Sequence, residues 1–137
     1  MTYLADTNAF SDYLRRKSPK LGAKMKAAAH GGELRLSIMV LAELEFGARK
    51  AVRTLGTTLF VERVEQLKRA FAPEPLGPGF PAAYAFVRDT LESLGSKIGD
   101  RDTIIAAHAL ALGATLITRN ISEFSRVPGL TVENWEV

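Results

Sequence analysis

Cysteine is absent from all 137 residues. That absence removes disulfides, zinc–thiolate centres and thiol nucleophiles together, and it fits a reducing compartment. Histidine is nearly absent too. His30 adjoins Gly31-Gly32 and reads as a surface residue, while His108 lies in an Ala/Leu-rich stretch and reads as packed rather than catalytic. An acid–base pair of imidazoles is therefore not expected. No apolar run reaches the ~18 residues of a membrane span. The first residues, MTYLADTN, bring an acid at position 6 with no basic lead or apolar stretch, so no secretory signal is read. The expectation is a soluble, cytoplasmic protein. Repeats and low-complexity tracts are missing as well. Proline and glycine crowd together only in PEPLGPGFP, Pro73–Pro81. Dividing the chain there would leave two pieces too small for comfortable cores, so the stretch is read as a loop and residues 1–137 as one domain.

What is present is a chain with 47% hydrophobic residues, enough to bury a core without staples. The formal net charge is +3, and it is unevenly spread. Residues 1–70 carry thirteen Lys/Arg against seven Asp/Glu; residues 71–137 carry five against eight. A basic half suits a polyanionic partner. The run Arg15, Arg16, Lys17, Lys20, Lys24, Lys26 could grip such a partner or simply be a solvated helix face.

The pattern alternates short strands with helices. Strands are expected at Tyr3–Asp6, Leu34–Ser37, Glu74–Leu76, Thr115–Thr118 and, at an edge, Leu130–Glu133. Between them, a helical segment runs to about Leu14. Ser18 caps the next helix with Pro19 in its first turn, ending at Gly31-Gly32. Ile38–Ala51 and Thr57–Phe71 repeat apolar residues at spacings of three and four. Pro81 opens a helix ending near Gly95, and Arg101–Leu112 is closed by Gly113. This order predicts an α/β three-layer sandwich with a short, mostly parallel central sheet flanked by helices. Ligands of such sheets bind beyond the carboxyl ends of the strands.

Acids stand at those places. Asp6 closes the first strand, Glu43 lies in the helix after the second, and Asn120 and Glu123 follow Thr115–Thr118. Asp102 opens the helix before that last strand. Glu43 shares a face with Leu36, Val40 and Gly47; Asp102 shares one with Ile105, Ala106, Ala109 and Leu112. A carboxylate on an apolar face is costly unless paired, and no basic residue is placed to pair either one. Several such acids at one sheet edge would repel. A divalent cation resolves both problems, and Mg²⁺ takes one or two carboxylates plus waters. Each acid also has a plainer role: Asp6 as a helix cap, Asp102 at a helix N-terminus favoured by the dipole, Glu43 as a solvated residue like Glu45.

The segments YLADTN, SIMVLAELEFGA, IGDRDTIIAAHALALGATLITRN and SEFSRVPGLTVENW resemble, in order, the successive motifs of the PIN domain, and more closely those of VapC toxins of toxin–antitoxin pairs. The resemblance spans nearly the whole chain. It implies a PIN fold with an acidic pocket, and a ribonuclease using Mg²⁺ or Mn²⁺ on structured RNA, tRNA included. Asp6, Glu43 and Asp102 match the acids of the first three motifs, with Asp6 and Asp102 toward the metal. Asn120 stands where other PIN domains often carry aspartate, so Glu123 could supply the fourth carboxylate; Asp100 reads as an extra loop acid or cap. The resemblance further implies a homodimer and a small antitoxin whose C-terminal segment blocks the pocket. Leu44, Phe46, Leu59, Phe60 and Val64 could offer it an apolar groove, or be ordinary core. Phe71, Phe86 and Trp135 are read as core or interface.

In the expected reaction Glu43 orients or deprotonates a water that attacks phosphorus in line, leaving 5′-phosphate and 3′-hydroxyl ends. Thr7 and Thr118 could hydrogen-bond the acids or a phosphate, or merely form strand-end turns. Arg101 and Arg119 border the acidic motifs and are the candidates for phosphate contact. Three other readings compete. A PIN nuclease acting on DNA, or processing RNA without an antitoxin, would lack a neighbouring antitoxin reading frame. A non-catalytic module would have no reason to keep Asp6, Glu43 and Asp102. A receiver-type phosphoacceptor needs a lysine beyond a late strand, where TRN stands instead.

Overall fold

The computed structural model describes residues 1–137. Five strands form one sheet: β1 (Tyr3–Ala5), β2 (Leu34–Ser37), β3 (Pro73–Glu74), β4 (Thr115–Ile117) and β5 (Val132–Glu133). Their order is β3-β2-β1-β4-β5, and every pairing is parallel. Seven helices connect them: α1 (Thr7–Leu14), α2 (Pro19–His30), α3 (Ile38–Leu55), α4 (Leu59–Ala70), α5 (Phe80–Ser93), α6 (Asp100–Leu112) and α7 (Ile121–Phe124). Parallel neighbours need crossovers, and the helices supply them while covering the sheet. Consistent with cover on both faces, the central strands read as apolar runs: Leu4, Ala5, Leu36, Leu116 and Ile117 are at most 1% exposed.

Local signals set the helix ends. The Ser18 hydroxyl accepts from the Leu21 N–H at 3.1 Å, with Pro19 in the first turn. Ser37 caps α3. Gly113 ends α6 in the left-handed region (φ 63°), where a side chain would be strained. At the carboxyl end of the chain, Trp135 is buried edge-on to Tyr3, their ring centroids 4.9 Å apart, which holds the last residues beside β1.

The expected strands and helices are present with shifted ends. α3 runs to Leu55, beyond the expected Ala51. β3 occupies Pro73–Glu74 rather than Glu74–Leu76, and the single-turn helix α7 was not expected. No helix is long and apolar enough to cross a membrane. His108 is fully buried between Ser37 Oγ at 2.9 Å and the Pro75 carbonyl at 3.0 Å, and His30 is exposed, as their sequence contexts suggested.

Candidate active site

The carboxyl ends of β1 and β4 lie side by side, because Ala5 pairs with Ile117. Each strand is followed at once by a polar residue, Asp6 and Thr118, and both are buried. The Thr118 hydroxyl donates to Asp6 Oδ2 at 2.6 Å, and the Ala9 N–H donates to Asp6 Oδ1 at 2.8 Å. Asp6 therefore does cap α1, and the same geometry fixes the direction of its carboxylate. Burial pushes the Asp6 carboxyl above its ordinary range; the bonds from Thr118 and Ala9 and the nearby Arg119 charge partly offset this.

α3 brings Glu43 to the same edge. Thr7, the first residue of α1, donates its hydroxyl to Glu43 Oε1 at 2.7 Å. Both threonines thus serve the acids and do more than turn the chain. The expectation that no base pairs Glu43 needs correction: Arg101 NH1 lies 3.3 Å from Glu43 Oε2. The Arg101 side chain is 68% exposed, so water screens that pair and it contributes little. Glu43 remains the inner partner, at 16% side-chain exposure.

Asp102 and Glu123 complete the cluster. α6 begins at Asp100, so Asp102 sits in its first turn, half buried. Burial is the largest effect on it, followed by a hydrogen bond with Glu123 and by repulsion from Glu123, Asp6 and Glu43; together they push its carboxyl up to about 7. Glu123 moves the other way. Burial opposes its ionisation, but hydrogen bonds from Asn120 (2.6 Å), from Asp102 and from the Gly99 N–H (3.4 Å) hold it below the usual glutamate range. The two carboxyls titrate as a pair, and their contact favours one proton between them. Asn120 acts here by fixing Glu123, so the Asn that replaces an expected aspartate has a definite contact. A cavity of about 390 Å³, lined by Glu43, Gly99, Asp100, Arg101 and Asp102, opens beside these groups. No three acidic or histidine side chains close tightly enough to cage an ion between them.

Sequence reasoning missed Asp12. It is 3% exposed on α1, and its Oδ2 accepts from Arg119 NH1 at 2.9 Å. Arg119 therefore has a protein partner as well as a solvent-facing side. Glu136 was missed too: burial and a hydrogen bond with Asp12 raise its carboxyl. The apolar groove residues divide. Leu44 and Val64 are buried, whereas Phe46 and Leu59 are exposed and Phe86 with them. Leu44, Val64, Phe60 and Leu55 line a cleft of about 180 Å³ that ends at Glu43 and Thr7; Phe46 and Leu59 stand outside it.

The chain as a whole is similar to known proteins. The PIN domain family matches residues 3–130. The chain is 31% identical to Ribonuclease VapC2 of Rickettsia felis over 99% of each chain. It is 27% identical to the tRNA(fMet)-specific endonuclease VapC of Salmonella typhimurium over 98% of each. It superposes with a TM-score of 0.87 and 30% identity on the crystal structure of VapBC2 from Rickettsia felis bound to a DNA fragment from their promoter, covering 98% of this chain and 99% of that one.

Proposed function

This chain belongs to the PIN domain family, and we propose that it is a divalent-metal-dependent endoribonuclease, the toxin of a toxin–antitoxin pair. The observation that carries the reading is the meeting of Asp6, Glu43, Asp102 and Glu123 at the carboxyl edge of a parallel sheet, crowded enough to hold the Asp102 carboxyl at about 7. Such crowding costs stability in a group that does nothing, and shifted acids gather where chemistry is done. Relatives named as ribonucleases and as a tRNA(fMet)-specific endonuclease support RNA, tRNA included, as the substrate class.

The donor set fits a hard cation. It offers only carboxylate oxygens, carries excess negative charge, and opens on a cavity with room for water. Mg²⁺ keeps most of its waters and needs only one or two carboxylates. Asp6 and Asp102 would hold it. The bound ion would supply Lewis acidity toward the phosphoryl oxygens and make nearby water easier to deprotonate. Glu43, its Oε1 fixed by Thr7, accepts the proton of the attacking water. Thr118 fixes the Asp6 carboxylate, and Asn120 and the Gly99 N–H keep Glu123 against Asp102. In-line attack on phosphorus expels the 3′-oxygen, so mapping the ends of a cleaved RNA should return 5′-phosphate and 3′-hydroxyl termini. Cyclic 2′,3′-phosphates would overturn the mechanism, because they require the 2′-hydroxyl as nucleophile.

A pH dependence of ion binding follows from Asp102. Its folded-state value of about 7 lies above the ordinary 3.8, so the folded protein favours the protonated form. The stability this gives is complete below pH 3.8 and is lost as pH rises through 7. A cation must displace that proton below pH 7. Mg²⁺ should therefore bind about tenfold more weakly at pH 6 than at pH 8, read as a smaller Mg²⁺-induced rise in melting temperature. Equal rises at both pH values would remove Asp102 from the ion's contacts.

We assign the chain to one domain, since a single buried cluster joins residues from Leu4 to Trp135, and place it in the cytoplasm, where RNA is at hand. A cognate antitoxin fits the cleft beside Leu44, Phe60 and Val64, because a segment lying there would reach Glu43. A homodimer fits the exposed Phe46 and Phe86.

A further inference from the structure

Asp12 and Arg119 form a pair that the reaction above does not use. Asp12 keeps only 4% of its side chain in solvent; Arg119 Nη1 donates to it at 2.9 Å, and Glu136 is its other side-chain partner. Arg119 directly follows Thr118, whose hydroxyl holds Asp6. Its guanidinium carries five N–H donors in a fixed plane. Only the bond to Asp12 is made within the protein, and 49% of the side chain remains in solvent. One edge of the guanidinium is tied down and the other is open.

We propose that Arg119 binds a phosphate of the RNA strand entering the acid pocket, and that Asp12 is the positioning residue that turns its open edge toward that phosphate. This rests on the ribonuclease reading. A phosphodiester brought against Asp6, Glu43, Asp102 and Glu123 meets strong repulsion and needs a fixed cation beside it. Arg119 follows the residue that bonds Asp6, close enough for its charge to act on that acid. The arginine that lines the cavity itself, Arg101, is engaged with Glu43 and is more exposed, at 68%. An arginine fixed beforehand loses less freedom on binding than a loose one, so a buried anchor improves affinity as well as direction. Asp12 as a mere clamp between α1 and the end of β4 explains the bond but not the choice of residues. A buried acid with a half-solvated partner stabilises less than an apolar contact of the same size. Asp6 and Glu136 are the other titratable groups facing the pair, and both are acids. The Arg119 charge acts on both, and Glu136 also hydrogen-bonds Asp12.

The test is equilibrium binding of a fluorescein-labelled hairpin RNA, followed by anisotropy in EDTA from 50 to 300 mM NaCl, with cleavage of the same RNA in Mg²⁺ and a melting curve for each protein. Arg119→Ala should weaken binding about tenfold and make the salt slope shallower by about 1. Arg119→Lys, which keeps the charge and loses the fork, should keep the slope and weaken binding several-fold. Asp12→Ala should likewise weaken binding several-fold with the slope retained, and Asp12→Ala/Arg119→Ala should bind no worse than Arg119→Ala alone. Unchanged affinity and slope in Arg119→Ala, with only the melting temperature lowered, would overturn the proposal and leave the ribonuclease reading standing. Losses for the two sites that multiply in the double variant would overturn the role of Asp12. Wild-type binding with the expected slopes but no cleavage in Mg²⁺ would sink the ribonuclease reading and leave Arg119 and Asp12 as an RNA contact only. Failure of the wild-type protein to bind RNA would sink both.

Discussion

Replacing Asp102 by asparagine is expected to lower RNA cleavage about a thousandfold or more while raising the melting temperature at pH 8 by a degree or two. The two effects come from one cause. The Asp102 carboxyl is pushed to about 7 by burial and by Glu123, Asp6 and Glu43, so at pH 8 its negative charge is a standing cost to the fold. Asparagine keeps the shape and removes the charge. Because Asp102 is only partly buried, solvent screens part of that cost, and the gain in stability stays small. The loss of function does not shrink in the same way, since a neutral amide neither attracts a cation nor neutralises its charge. At pH 5.5, where the wild-type carboxyl is mostly protonated, the difference in melting temperature should vanish. Paired cleavage assays and melting curves at the two pH values check this. Undiminished cleavage would remove Asp102 from the reaction. A lower melting temperature at pH 8 would mean that favourable contacts, rather than repulsion, decide its energetics.

That acids crowd at this edge was readable before any coordinates, because strand ends are legible in sequence. Asp6 follows Tyr3–Ala5 and Thr118 follows Thr115–Ile117, each after a run of buried apolar residues. Capping chemistry made α2 and α6 equally plain, through Ser18-Pro19 and Gly113. Long-range partners were not readable. Arg101 and Glu43 are separated by 58 residues and Arg119 and Asp12 by 107, so no local periodicity links either pair. Asp12 lies three residues after the buried Ala9 and hence on its face. That spacing, together with the arginine that ends the β4 motif, was the available signal. α7 escaped because four residues show no helical period. The end of α3 was underestimated because Ala51 is its last buried residue: beyond it, Val52 and Leu55 are exposed, and the apolar stripe fades while the backbone continues.

Replacing His108 by leucine should have the reverse profile: a large loss of stability with little loss of cleavage. His108 is wholly buried, and both ring nitrogens are engaged. The Pro75 carbonyl can only accept, so Nε2 carries the proton and donates to it, and Nδ1 accepts from the Ser37 hydroxyl. Leucine fills a similar volume but takes away the acceptor of the Ser37 hydroxyl proton in the interior, while the Pro75 carbonyl it frees lies nearer the surface. A buried polar group left short of a partner costs about 1–3 kcal/mol, so a loss of that order is expected, or about 3–12 °C in melting temperature. Burial also lowers the His108 pKa from 6.5, which makes the folded state favour the neutral ring. The stability this gives is present above pH 6.5 and is lost as pH falls below it, whereas the leucine variant should lack that acid-side decline. The ring's partners are the α3 N-cap residue and the loop after β3, and the acid whose charge acts on it is Glu74, which is not one of the clustered acids. At 20 °C, where the variant remains folded, cleavage should stay within about threefold of wild type. A fall of a hundredfold in folded protein would mean that the Ser37–His108 contact sets the position of α3, and through it of Glu43, far more tightly than the remaining bond from Met39 N–H to Ser37 Oγ at 3.2 Å can replace.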